Sequence, residues 1–540
     1  MGKGVKTAVI GGVFAVMVGG AGYGAYNVVS ALNGDGGGSP AVQTGPPSGD
    51  EVEETSEKFF TAWEKGQAAE AASYTDFAQA AEPLLTAYGE QAHITDVRIT
   101  PEAVNGGVVP FSVKATVSYD GQSKPLAYKS ELKVVRGKTS GKALVDWDPA
   151  VVHPELKKDD TLVTGEAKSP PIEAVDRDGQ VLTKAKYPSL GPILDTLRER
   201  YGDKAGGTPG VELVIRHAAE GVADTPLLTL AEGKPGKLRT TLSAGVQAAA
   251  ETAVKSYAES SVVAVKPSTG EVLAVANHRS DAFNAAFEGR VAPGSTMKIV
   301  TAAMLIDNGV TSMNGPAPCE DTATWQSQTF KNLPGLKANL SATLADTFMR
   351  SCNTGFIKLI DEEPLTDASL TAEAQERFGL GRDDWKTGIT SFDGSVPASA
   401  GPDRAANAIG QGQVQMSPLN MASVTATAIT GTFRQPYLVS PDLDDRQLAT
   451  AKGLSANTSA QLKQMMRLTA TQGSAAPVMS GLGGDIGAKT GSAEVDGNAK
   501  SNSWFTGFRG DVAAAAMTEE GGRGGEAAGP IVKAVLVAGG

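Results

Sequence analysis

Residues 291–306, VAPGSTMKIVTAAMLI, impose the tightest condition on how this chain folds. After Pro293-Gly294 the pattern predicts a helix that is apolar almost all round, with Met297, Ile299, Val300, Ala302, Ala303, Met304, Leu305 and Ile306. A helix without a polar face belongs inside a core. Yet Lys298 stands in its first turn, and lysine is rarely buried without a partner. Ser295 precedes it by three residues, so on a helix the two side chains share a face. Burial penalises a charged lysine and lowers its pKa toward that of a neutral base. A hydroxyl beside a neutral amine is an activated nucleophile, and the helix N-terminus favours developing negative charge. The expectation is a Ser295 nucleophile with Lys298 as its base.

An SxxK pattern alone is weak evidence, because Ser130-Glu131-Leu132-Lys133 matches it too. That match lies in a predicted strand, where residues three apart point to opposite faces and cannot meet. A second element must deliver a proton and hold the substrate. Ser351-Cys352-Asn353 offers a hydroxyl and an amide at a break between two apolar helical stretches. Ser312-Met313-Asn314 and Ser455-Ala456-Asn457 share its pattern, but one follows the nucleophile's helix too closely and the other starts a polar helix. A third element must grip an anion. Lys489-Thr490-Gly491-Ser492 precedes NSWFTGFRG and fits a strand edge whose lysine and hydroxyls bind a carboxylate. Lys386-Thr387-Gly388, in a charged loop, reads as a solvated turn.

The rest of the chain sets the frame. At 540 residues it exceeds one core and predicts several domains. A net charge of −12 argues against a nucleic-acid surface. Its four histidines, His93, His153, His217 and His278, lack metal-ligand spacing, so a catalytic zinc is not expected; no phosphate-cradling GxxxxGK(S/T) loop occurs, and no cofactor is expected. Lys3 and Lys6 precede an uncharged stretch, Thr7 to Leu32. As a helix it would span about 39 Å, enough for a bilayer core. The flanking lysines place residues 1–6 in the cytoplasm and the rest outside. A cleaved signal peptide is the alternative, but no sharp cleavage site follows a short apolar core. Cys319 and Cys352 could pair outside the cell or be small buried hydrophobes, and unpaired thiols are the preferred reading. A Gly/Ser/Pro linker follows at 34–49. Phe59, Phe60 and Trp63 then mark a helix, and FSVKATVSY alternates as a strand.

The ordered set SxxK, SxN, KTG resembles that of the penicillin-binding proteins and serine β-lactamases. Residues 240–540 resemble a penicillin-binding transpeptidase domain: NAAFEGRVAPGSTMK, AIGQGQVQMSPLNMA, KTGSAE with SWFTGF, and AAGPIVKAVL all fit. Residues 50–157, closing on WDP…HPEL, resemble the NTF2-like N-terminal domain of the MecA-type class B proteins. VDRDGQVL resembles the start of their pedestal or dimerisation domain, at 158–239. The resemblance implies a multidomain α+β chain: a stub and transmembrane anchor at 1–33, the linker, an NTF2-like cone, the pedestal, and a β-lactamase-like antiparallel sheet covered by helices. VAAAAMTEEGGRGGEAA, at 513–529, departs from the pattern and predicts a poor strand, a flexible loop and a short sheet edge.

By resemblance, Ser295 is acylated by the D-Ala-D-Ala stem peptide of peptidoglycan or by a β-lactam, with Lys298 as base. Ser351 relays a proton to the departing D-alanine, and Asn353 binds the substrate amide. Lys489 and Thr490, with Gly491 and Ser492 beside them, hold the terminal carboxylate. The backbone N–H groups of Ser295 and Ser492 form the oxyanion hole. The implied partner is a membrane glycosyltransferase of the shape, elongation, division and sporulation family. The implied location is the cell membrane, single-pass, with the catalytic domain outside. A D,D-carboxypeptidase shares the motifs. A β-lactamase would need a deacylating base, and Glu363-Pro364-Leu365-Thr366 does not match one. A silent sensor or division scaffold would tolerate loss of Ser295 or Lys298, and both are present.

Overall fold

The computed structural model describes residues 45–540 apart from 139, 220, 221, 282, 496 and 498. The anchor expected at 1–33 lies outside the described residues. Among the described residues no helix is long and apolar enough to cross a membrane.

The described residues form two compact units. One takes residues up to Thr86 with Val97–Lys114 and Ala127–Pro154; the other takes Ala87–Asp96, Ala115–Leu126 and Glu155–Gly540. The first unit begins with helix α1 (Gly49–Glu64), capped reciprocally by Ser48 and Glu51. The same Glu51 pairs with Arg136 at 2.6 Å. Phe59, Phe60 and Trp63 are buried, as their helical spacing predicts. Phe60 and Trp63 pack on Phe111, with ring centroids 4.8 and 6.1 Å apart. Strands β1 (Ile94–Pro101), β2 (Val108–Tyr119), β3 (Gln122–Arg136) and β4 (Ala143–Val145) follow in sheet order.

In the second unit, β5 (Thr161–Glu166), β7 (Val211–Arg216) and β8 (Thr225–Ala231) form an antiparallel sheet. The parallel pair β6 (Ile172–Val175) and β9 (Gly236–Arg239) accompanies it. Helix α2 (Gly191–Tyr201) buries Ile193, Leu194, Leu197 and Tyr201. Downstream lies a five-stranded antiparallel sheet in the order β11-β10-β16-β15-β14. Its strands are β10 (Ser260–Val265), β11 (Val272–His278), β14 (Ile486–Ala493), β15 (Asn502–Arg509) and β16 (Val512–Thr518). A separate hairpin joins β12 (Thr322–Trp325) to β13 (Gln328–Lys331).

Helices α3 (Ala244–Val254) and α9 (Ala528–Gly539) share a core with one face of the large sheet. Helices α4 (Lys298–Asp307), α7 (Pro418–Thr430) and α8 (Ala456–Thr471) share a core with the other. This arrangement corrects the expectation for 513–529. Val512–Thr518 is a fully buried strand at the centre of the sheet. Ala514 and Ala516 face one core and Ala513 and Ala515 the other. A strand covered on both faces loses the alternation that identifies strands, and alanine lets helices approach both sides. The sheet ends instead on β11 and β14, and among the described residues β14 has no strand on its outer side.

Candidate active site

The turn that carries Ser295 is pressed against strand β14. Gly294–Met297 is a 3-10 turn and the α-helix proper, α4, starts at Lys298. Ser295 and Lys298 still meet, because residues three apart eclipse on a 3-10 turn. Gly294 adopts φ +53°, and a Cβ there would stand 2.4 Å from the Ser492 carbonyl oxygen. A Cβ on Gly491 would lie 2.9 Å from the Pro293 carbonyl oxygen. Glycine at both positions is what allows the turn and β14 to touch.

Lys298 is completely buried. Its Nζ lies 3.0 Å from Ser295 Oγ, 2.9 Å from the Ser351 carbonyl oxygen and 2.6 Å from Asn353 Oδ1. The last two atoms only accept hydrogen bonds. They can take both N–H groups of a neutral amine, which leaves its lone pair for the Ser295 hydroxyl. Burial, with the positive charge of Lys489 added, holds Lys298 well below its usual pKa. The arrangement is that of a base poised on a hydroxyl.

Ser351 is held between the two lysines. Lys489 Nζ donates to Ser351 Oγ at 2.8 Å and to the Thr490 carbonyl at 2.8 Å. Burial pushes Lys489 down to about 7. Ser351 has φ +60°, left-handed for a residue with a Cβ, a strain of the kind stored at functional sites. It sits in the bend between helices α5 (Leu344–Met349) and α6 (Asn353–Leu359). The Thr490 carbonyl accepts from Lys489, and Gln411 Nε2 approaches the Ser492 carbonyl at 3.5 Å. Alternate residues of β14 therefore turn their main-chain groups off the unpaired edge, where a substrate strand can add.

Lys298, Ser295, Ser351, Asn353 and Lys489 thus form one hydrogen-bonded cluster, with Gly491 and Ser492 against the nucleophile's turn. Thr490 joins through its carbonyl, which accepts from Lys489, and its hydroxyl lies 2.6 Å from that of Ser474. The competing motifs stay apart. Ser130 Oγ donates to the Ala150 carbonyl, while Lys133 pairs with Asp146. Ser455 caps α8. Lys386-Thr387-Gly388 is no solvated turn: Thr387 is buried and its hydroxyl donates to the Ile389 carbonyl. The preference for unpaired thiols is overturned, because Cys319 and Cys352 form a disulfide. Both are buried and their Cα atoms lie 6.1 Å apart, a proximity 33 positions of sequence do not reveal. Two site residues escaped the sequence reading. Ser474 and Asn332 carry no local pattern and arrive through long-range packing.

The profile of the penicillin binding protein transpeptidase domain matches residues 260–537. That of the NTF2-like N-terminal transpeptidase domain matches residues 51–160. The peptidoglycan D,D-transpeptidase PbpA of Mycolicibacterium smegmatis is 30% identical over 368 residues, which cover 56% of this chain and 72% of the relative. The structure of penicillin-binding protein A from M. tuberculosis, an imipenem acyl-enzyme complex, superposes with a TM-score of 0.50 at 22% identity. The match covers 75% of this chain and 95% of that one. The D,D-transpeptidase domain of a peptidoglycan glycosyltransferase from Eggerthella lenta gives 0.53 at 21% identity, over 69% and 98%.

Proposed function

The chain belongs to the penicillin-binding protein transpeptidase family, and from that premise we propose how its site cross-links peptidoglycan as a D,D-transpeptidase. Ser295 Oγ gives its proton to the neutral Lys298 amine and attacks the carbonyl of the penultimate D-alanine of a stem peptide. The Oγ–C bond forms, the C–N bond to the terminal D-alanine breaks, and that amine leaves with a proton relayed through Ser351. An amine from a neighbouring strand then attacks the ester, restores the Ser295 hydroxyl and completes the cross-link. A β-lactam acylates the same serine, and its opened ring cannot depart.

Asn353 binds the substrate amide, while Lys489 and Thr490 hold the carboxylate by charge-assisted bonds. The backbone N–H groups of Ser295 and Ser492 receive the oxyanion, each donor worth on the order of 3 kcal/mol. The observation that carries the reading is the Lys298 amine beside Ser295, its two other neighbours being obligate acceptors. A single-pass anchor at Thr7–Leu32 with the enzyme outside belongs to the same proposal. The Cys319–Cys352 disulfide supports it, since such bonds persist in oxidising compartments. The domain limits at 50–157, 158–239 and 240–540, the middle one a pedestal, and the glycosyltransferase partner are proposed from resemblance. The test is acylation of the full chain by a fluorescent penicillin. A lasting adduct on the parent, none on Ser295→Ala and a severe loss of rate on Lys298→Ala are expected. Rapid turnover of the label would make the protein a hydrolase.

A further inference from the structure

The amide of Asn353 reaches Lys298 from a short helix that does not cap itself. Cys352 precedes that helix as its N-cap, and its sulfur, held in the disulfide, lies 3.2 Å from the Thr354 hydroxyl but caps no backbone N–H. The acceptor comes from elsewhere in the sequence. Asn332, the residue after β13, accepts through Oδ1 from the N–H groups of Asn353 at 2.7 Å and Thr354 at 3.2 Å. Its Nδ2 donates to the Glu320 carbonyl at 2.6 Å, which fixes the amide's orientation. Next to it, the Lys331 carbonyl accepts from Asn353 Nδ2 at 3.0 Å. A carbonyl can only accept, so Asn353 must present its Nδ2 to Lys331 and its Oδ1 to Lys298.

We infer that Asn332 is a positioning residue for catalysis: from the β12–β13 hairpin it locks the backbone of Asn353 so that Asn353 Oδ1 occupies one N–H of Lys298. With that N–H and the one on the Ser351 carbonyl both engaged, the lone pair of Lys298 has a single direction left, toward Ser295. The inference rests on Lys298 being the base of the proposed reaction. It adds that a residue touching neither substrate nor nucleophile sets the aim of that base. A misplacement of about 1 Å in such a group costs on the order of 100-fold in rate.

The test compares first-order acylation by a fluorescent penicillin, non-covalent affinity and melting temperature in the full chain. The variants are Asn332→Ala, Asn353→Ala, the double variant and Lys298→Ala. Asn339→Ala is the control: it breaks a 3.1 Å bond to Asp346 upstream of the same motif without touching Asn353. Asn332→Ala should acylate about 10- to 100-fold more slowly with nearly unchanged affinity. In the Asn353→Ala background the same change should cost less than about twofold more, because it acts through a residue already removed. Asn339→Ala should acylate like the parent. Parental rates in Asn332→Ala overturn the inference, as do fully additive losses in the double variant or an equal loss in Asn339→Ala. If Asn332→Ala does not fold, Asn353→Ala decides alone, and parental acylation there refutes the proposal. Parental acylation in Lys298→Ala would sink the underlying mechanism instead, so the two failures are distinct.

Discussion

Replacing Gly294 by alanine measures how tightly the turn that carries Ser295 is fitted to strand β14. Gly294 has φ +53°, where an L-residue costs about 1–2 kcal/mol more than glycine. The new Cβ would fall 2.4 Å from the Ser492 carbonyl oxygen and 2.6 Å from its carbon, where contacts under 3.0 Å essentially never occur. The turn and β14 must therefore part by at least about 0.6 Å. Ser492 is strand backbone that lies opposite Ser503 in the register with β15, so it cannot swing aside. Overpacking of this kind costs about 1–3 kcal/mol, and with the backbone penalty the loss of stability is roughly 2–5 kcal/mol. The same shift moves Ser295 relative to Lys489 and the sheet edge, enough to slow acylation at least about tenfold. Gly309→Ala is the matched control. Gly309 follows the same helix with φ +71° and has nothing within 4 Å of the added Cβ. It should lose about 1–2 kcal/mol, seen as a few degrees of melting temperature, and keep its acylation rate. Thermal melts and penicillin acylation of both variants separate the two effects. Parental acylation in Gly294→Ala, or an equal loss in Gly309→Ala, would refute the close-fit argument.

The acylation rate constant at low concentration of a carboxylate-bearing β-lactam should rise with pH as Lys298 loses its proton. It should fall above about 7 as Lys489 loses the charge that grips the carboxylate. A rate still climbing at pH 9 would contradict that assignment of the lysines. Glu373 is buried with no partner for Oε1, and burial, with Asp307 adding to it, pushes its carboxyl up to about 8. Its folded-state pKa is raised, so the folded chain holds a proton that the unfolded chain releases between about pH 4.5 and 8. This contribution to stability is greatest at low pH and is lost as pH rises through that window. Glu373→Gln should therefore raise the melting temperature more at pH 8 than at pH 5, and an equal change at both would count against it. Replacing Cys319 and Cys352 by serine opens a loop spanning 33 positions, worth about 3–4 kcal/mol by chain entropy. The double variant should melt lower and acylate more slowly, since Cys352 lies between Ser351 and Asn353. A melting temperature equal to the parent's would refute the stabilising role.

What was legible in the sequence was whatever a residue type and its neighbours could encode. Lys298 announced itself because a charged residue at the head of an apolar helix violates a local rule. Ser351, Asn353 and Lys489 were picked out by the resemblance of an ordered set of short patterns to a known family's. The same local logic failed where a feature depends on what lies on the far side. Ala513–Ala516 read as a weak edge because nothing in AAAA says that helices cover both faces. Cys319 and Cys352 gave no sign of pairing, since Cys319 is placed by a backbone bridge to Asn339 and Cys352 by the bend after Met349. Asn332 sits in FKNLPG as an ordinary loop residue.

Two lysines buried beside one serine is an arrangement that each lysine alone would disfavour, and the cost has a chemical use. A cation in a dry site is expensive, so a second one nearby drives the first toward neutrality. Lys489 sits on strand β14 and lies between the Ser351 hydroxyl and the Thr490 carbonyl. Lys298 is held well below its usual pKa by burial first and by the charge of Lys489 second. In the proposed reaction, substrate binding would sharpen the division between the two lysines. A carboxylate at Lys489 would favour the charged form there, and that charge would oppose protonation of Lys298 as Ser295 gives up its proton. Ser351 bonds to both amines, through its carbonyl on one side and its hydroxyl on the other. Its left-handed backbone turns these two groups toward different lysines, which explains why strain is retained at that residue.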